Sequence, residues 1–173
     1  MKEFEFTLKF VLAKASTDAS HYIELLGQAG CDDALIGVGK KGRIVLEFCR
    51  EANNAIEAVI SALKNVKKAI PDAKLIEATP DLVGISDIAK IIGVTRQNIR
   101  KTIQNNFDSF PSPIHEGKSS IWHLSNVLNW FSERRAVEQN LAEVANANMQ
   151  LNIAKENTNS DPKIQSQIYS VFA

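Results

Sequence analysis

Between Glu3 and Leu12 every second residue is large and apolar: Phe4, Phe6, Leu8, Phe10 and Leu12. Glu3, Glu5, Thr7 and Lys9 fall between them. A strand turns successive side chains to opposite faces, so this alternation is that of a half-buried β-strand. The phenylalanine face needs a covering layer, and the rest of the chain has to supply it.

The next seventy residues read as its companions. Asp18 is placed to cap a helix over about 19–29, which Gly30 stops. Residues 34–38 form a second strand, Gly39-Lys40-Lys41-Gly42 a hairpin turn, and 43–49 a third strand. A helix from about Asn53 carries Ile56, Val59, Ile60, Leu63, Val66 and Ile70 as one apolar stripe. Pro71 ends it, 73–78 form a fourth strand, and Pro80 marks a domain boundary. The order β-α-β-β-α-β is that of a ferredoxin-like domain over residues 1–79, an α+β arrangement with both helices on one face of an antiparallel sheet. An RNA-binding domain of that shape stacks bases on aromatics of its open face. Here the phenylalanines share the face that the helices must cover, so they read as core. The open face, with Val11, Val45 and Cys49 among polar residues, is a candidate dimer or ligand surface.

Catalysis finds little support. Cys31, Asp32 and Asp33 form the one cluster worth weighing, and nothing places the ring of His21 near Cys31. Cys31 and Cys49 read as small buried residues of a reduced, cytoplasmic protein. There is no phosphate loop or metal-ligand spacing, and no cofactor is expected. No apolar run approaches a membrane span. The formal net charge is zero, so any nucleic-acid affinity must come from local patches.

One such patch lies in GISDIAKIIGVTRQNIRKTIQNN, residues 84–106. Ile85, Ile88, Ala89 and Ile92 make the apolar stripe of a first short helix, started near Ser86 and ended by Gly93. Val94 plugs the turn. Thr95 caps a second helix, with Ile99 and Ile103 inward and Arg96, Gln97, Asn98, Arg100, Lys101 and Gln104 outward. A small residue at Ala89, a turn glycine, and an inward β-branched residue six further on is helix-turn-helix spacing. From Thr95 to Asn106 there are three basic side chains and no acid. Arg bonds guanine bidentately, Asn and Gln bond adenine, and basic groups neutralise phosphates. A solvated helical hairpin would carry a similar pattern, so the following residues matter.

Pro111 and Pro113 exclude helix. Residues 113–114, a turn at Glu116-Gly117-Lys118, and residues 120–123 read as a β-hairpin. Its tip offers His115, Lys118, Ser119 and Ser120 to a phosphate backbone or minor groove. Leu124 to about Arg134 forms a helix with Val127, Leu128 and Phe131 inward, and Trp122 and Trp130 read as core pins. The segments ISDIAKIIGVTRQNIRK, FPSPIHEGKSSIW and VLNWFSER together resemble the winged helix-turn-helix of AlpA-like regulators and excisionases, relatives of the MerR family. The resemblance covers roughly residues 82–135. It implies a DNA-binding regulator whose second helix enters the major groove, with the backbone at Ser86 and Thr95 against phosphates. Two features depart from the family: an extra 80 residues precede the motif, and Glu116 offsets Lys118 at the wing tip.

Residues 136–155 read as a continuing helix, with Val137, Leu141, Val144, Asn148 and Leu151 as a short heptad seam. Two heptads also fit an amphipathic helix packed on its own chain; self-association is put ahead of that because a dimer would suit paired DNA half-sites. Residues 156–173 read as a polar, flexible tail ending in apolar IYSVFA, a candidate peptide for a partner's sheet edge or groove. The expectation is a sequence-specific duplex-DNA-binding regulator of winged helix-turn-helix type, acting as a homodimer. Two alternatives stand beside it. One is an antitoxin-like protein that neutralises a partner through its N-terminal domain or tail, and the other an excisionase-type protein that bends DNA.

Overall fold

The computed structural model describes residues 1–14 and 16–172. Four antiparallel strands form the main sheet: β1 (Lys2–Val11), β2 (Ala34–Gly37), β3 (Arg43–Ala52) and β4 (Lys74–Thr79), in the order β2-β3-β1-β4. The alternation of β1 does what strand geometry demands: Phe4, Phe6, Leu8, Phe10 and Leu12 are all buried. Across the central pair Phe6 stands opposite Phe48, Leu8 opposite Leu46 and Phe10 opposite Ile44, so β3 doubles the same apolar face. The other face is charged, and Lys9 meets Glu77 of β4 at 2.6 Å.

Asp18 accepts from Ser20 N, but it starts a single 3-10 turn, Ala19–Tyr22, before the short α1 (Ile23–Gln28). α2 (Ala55–Ala69) is capped by Asn54, whose Oδ1 accepts from Glu57 N at 2.9 Å. Its buried face departs from the isoleucine stripe expected of it. Ala55, Ala58, Val59, Ala62 and Val66 are buried, whereas Ile56 and Ile60 are 42% and 43% exposed. The small residues face the core that the sheet shares with Val144 and Ala147, where they let the helix pack closely. Beyond α1, Asp33 is no idle acidic loop. It grips the buried Arg50 with both oxygens, at 2.6 and 2.8 Å. Cys31 is buried, as expected, and burial pushes its thiol up to about 11. Cys49 is exposed instead, because it follows Phe48 onto the open face of β3.

The helices α3 (Ile85–Ile92), α4 (Arg96–Asn105) and α5 (Leu124–Ser132) gather around a second core, centred on Ile88, Ile99, Phe110, Trp122, Leu128 and Phe131. Phe110 meets Trp122, Trp130 and Phe131 edge-on. Trp122 and Trp130 are buried as core pins, their indole N–H groups donating to Pro111 O and Ser109 Oγ.

The hairpin after α4 is slighter than its sequence suggests. It closes through one bridge, His115 to Ile121. The residues after it, β6 (Trp122–His123), pair with β5 (Leu82–Val83), which precedes α3. The two-residue strand Leu82–Val83 is too short for periodicity to reveal.

The C-terminal part departs most from the sequence reading. The helix expected to run on through residue 136 breaks after Ser132. Arg134 folds back there, its guanidinium 3.8 Å above the Trp130 ring and its Nη1 donating to Trp130 O. Helix starts again as α6 (Gln139–Asn157). The seam then faces the chain itself. Val144 and Leu151 pack on the sheet core, and Val137 and Leu141 on the second core. Asn148 is fully buried and donates to Pro80 O at 3.2 Å. α6 therefore joins α2 over the sheet and α5 over the second core. Residues 162–172, expected within a flexible tail, form α7 (Pro162–Phe172), which buries none of its residues.

The stretch at Pro80 is a packed junction. Asp81 is 1% exposed. One carboxylate oxygen lies 2.7 Å from His123 Nδ1 and the other accepts from Asn152 Nδ2 at 2.7 Å. Asn152 also accepts from Ala78 N and donates to Ala78 O, both at 2.8 Å.

Candidate nucleic-acid interface

α3 is capped at Gly84, not at Ser86. Asp87 reaches back to accept from Gly84 N at 2.9 Å, so Ser86 is left exposed in the first turn with no capping role. At the other end Gly93 adopts φ 75° and ψ 35°. That left-handed conformation is costly for any residue with a Cβ, which is why glycine belongs there. Ala89 is buried where α4 crosses, and Val94 half-fills the turn.

Thr95 Oγ1 accepts from Asn98 N at 3.1 Å and fixes the start of α4. Its polar side chain is thus engaged in capping. Ile99 is fully buried and Ile103 half-buried, and together they lock the rotation of the helix. That rotation leaves Arg96, Gln97, Asn98, Arg100, Lys101 and Gln104 exposed, as the sequence predicts. Among the described residues, Arg96, Arg100 and Lys101 take part in no ion pair. Cations without an internal partner keep their full charge for an external one.

The hairpin tip carries His115, Lys118 and Ser119, all exposed, with Ser120 half-buried. The His115 ring lies across the turn, so that a Cβ on Gly117 would meet Nε2 at 2.8 Å. The hairpin and α4 flank one groove of about 390 Å³, to which Arg100, Gln104, Glu116 and Ser120 all contribute. The structure thus brings the second half of α4 and the hairpin base together. Lys118 and Ser119 do not line that groove.

One residue of the groove escaped the sequence reading. Phe107, just past the Asn106 cap, is 82% exposed. It lines the groove together with Arg100 and Gln104. An apolar residue at a helix end reads as core by default, and only the missing cover marks it out.

Charge is distributed unevenly. Residues 82–135 hold seven Lys and Arg against four Asp and Glu, a net +3. The chain holds 20 of each, so the remainder is −3. No helix among the described residues is long and apolar enough to cross a membrane. No protein-family model matches the chain, and no curated protein or solved structure matches it either.

Proposed function

We propose that the chain is a sequence-specific duplex-DNA-binding regulator that lays α4 in the major groove. The observation that carries this reading is the face of α4. Three exposed cations, in no ion pair among the described residues, and three amides stand on one capped, rotationally fixed helix, with no acid among them. Arg96, Arg100 and Lys101 supply phosphate contacts or bidentate bonds to guanine; Gln97, Asn98 and Gln104 suit adenine. Phe107 adds an apolar surface for a thymine methyl. The hairpin serves as a wing that touches the backbone through His115, Lys118 and Ser119. The small residue at Ala89, the Gly93 turn and the pairing of β6 with β5 support a winged helix-turn-helix. The order β2-β3-β1-β4 supports a ferredoxin-like first half.

Gel shifts over the chain's own upstream DNA test the reading. Wild type binds, and Arg96→Ala and Arg100→Ala each weaken binding about 5- to 150-fold, the loss of one strong base contact. If a residue serves a phosphate instead, its removal lowers the slope of log K against log salt by about 1. Binding as tight as wild type in both variants at moderate salt would remove α4 from the interface. The uncovered apolar side of α7 supports a second reading, in which DNA binding only autoregulates and the tail holds a protein partner.

A further inference from the structure

The groove between α4 and the hairpin carries two charges of opposite sign. Arg100 stands on its α4 flank and Glu116 on its hairpin flank. Both are exposed, and neither takes part in an ion pair among the described residues. Between them the lining is apolar and largely aromatic. The buried Phe110 and Trp122 back it, with Phe107 and Pro111 beside them. Its volume of about 390 Å³ falls within the roughly 300–1,000 Å³ of small-molecule sites, which set a few polar groups in apolar walls.

These features select the chemistry of an occupant. A flat ring suits the aromatic wall. An anion alone would meet the like charge of Glu116, and a cation alone that of Arg100. A ligand that satisfies both flanks carries one group of each sign beside its ring, as a free aromatic α-amino acid does. Arginine holds a carboxylate through two parallel N–H bonds, and a carboxylate accepts from an ammonium. A residue inside a peptide lacks both charges. A second groove, of about 330 Å³, lies at the junction of the two cores against Asp81, His123 and Asn152. Its Glu77 is paired with Lys9 and its Glu156 with Lys155, both at 2.6 Å, so neither carboxylate is left to select a ligand there.

We propose that the groove between α4 and the hairpin binds a free aromatic α-amino acid and that the bound ligand displaces DNA. The ring lies against Phe107 and Trp122, the carboxylate on Arg100 and the ammonium on Glu116. The displacement rests on the DNA reading above, because Arg100 is one of the cations assigned to the duplex. The binding does not rest on it.

The test uses the full chain without DNA, in isothermal titration calorimetry with L-phenylalanine as the probe. Wild type is expected to bind at one site. Arg100→Gln and Glu116→Gln are each expected to weaken binding by about 10-fold or more, the loss of one charged hydrogen bond. Both positions are exposed, so circular dichroism should stay unchanged. Two fragments of the probe separate the flanks. Binding of 3-phenylpropanoate should weaken in Arg100→Gln and not in Glu116→Gln; 2-phenylethylamine should show the reverse. In gel shifts, L-phenylalanine should lower the affinity for DNA and L-alanine should not. No heat with millimolar L-phenylalanine, binding that both substitutions leave intact, or DNA affinity undiminished at saturating L-phenylalanine would each overturn the proposal. A wild type that binds L-phenylalanine at this site but no DNA would overturn the DNA reading and leave the amino-acid site standing.

Discussion

Asn152→Ala tests whether α6 holds the two cores together. Asn152 satisfies three groups at once: Ala78 N–H, Ala78 C=O and one oxygen of Asp81. Truncation leaves all three short of a partner at a site only 8% exposed. An unsatisfied buried polar group costs about 1–3 kcal/mol. The adjoining groove admits water to one side, so the lower end applies, and the expected loss is about 3 kcal/mol. That is a large share of the roughly 5–15 kcal/mol that holds a domain folded. Urea unfolding should be followed by far-UV circular dichroism, which reports the sheet, and by the fluorescence of Trp122 and Trp130, which reports the second core. Because α6 serves both, the two probes should give one coincident transition in wild type. Asn152→Asp is expected to do more harm at neutral pH. It keeps the acceptor for Ala78 N but sets a second carboxylate against Asp81. The folded state then holds a proton more tightly than the unfolded chain, so the variant regains stability as pH falls through that raised folded-state value. A loss below about 1 kcal/mol for Asn152→Ala, or separate wild-type transitions for the two probes, would refute the shared-helix argument.

Gly93→Ala is expected to destabilise the chain by about 1–2 kcal/mol in the same urea assay. The cause is conformational only, since a Cβ there meets nothing within 4 Å. At Cys49, the hydrogen bond with Glu3, then desolvation and the charges of Glu3, Glu5 and Asp33, raise the thiol above its ordinary value. The thiolate is the reactive form, so iodoacetamide labelling of Cys49 should be slow near neutrality and quicken as pH rises. Glu3→Gln should shift that profile to lower pH, which mass spectrometry of the labelled peptide can follow; an unshifted profile would count against the assignment.

Local chemistry made parts of this fold legible. The alternation of β1, the Thr95 cap, the Gly93 turn and the outward set of α4 each depend on residues within a turn or two of each other. What escaped depends on distant partners. Asn148 looked like a register device on a seam between copies. It is instead buried against Pro80 O, 68 positions away. Ile56 and Ile60 fitted a stripe, yet the alanines beside them are the ones buried in the core. Leu82–Val83 acquires strand pairing only from Trp122–His123, across the whole of α3 and α4. Phe107 shows the same limit at the candidate site: whether an apolar residue past a helix end is covered depends on what the rest of the chain lays over it.

The arrangement of α6 has a consequence for how the chain comes together. Along the sequence, the second core is an insertion, lying between β4 and the helix that finishes the cover of β1 and β4. On a ribosome the sheet would emerge with part of its phenylalanine face bare until residues 139–157 followed. Excising residues 1–79 would reproduce that incomplete state permanently. A cut after residue 79 would therefore strip β1 and β4 of the cover that Val144, Ala147 and Leu151 give them.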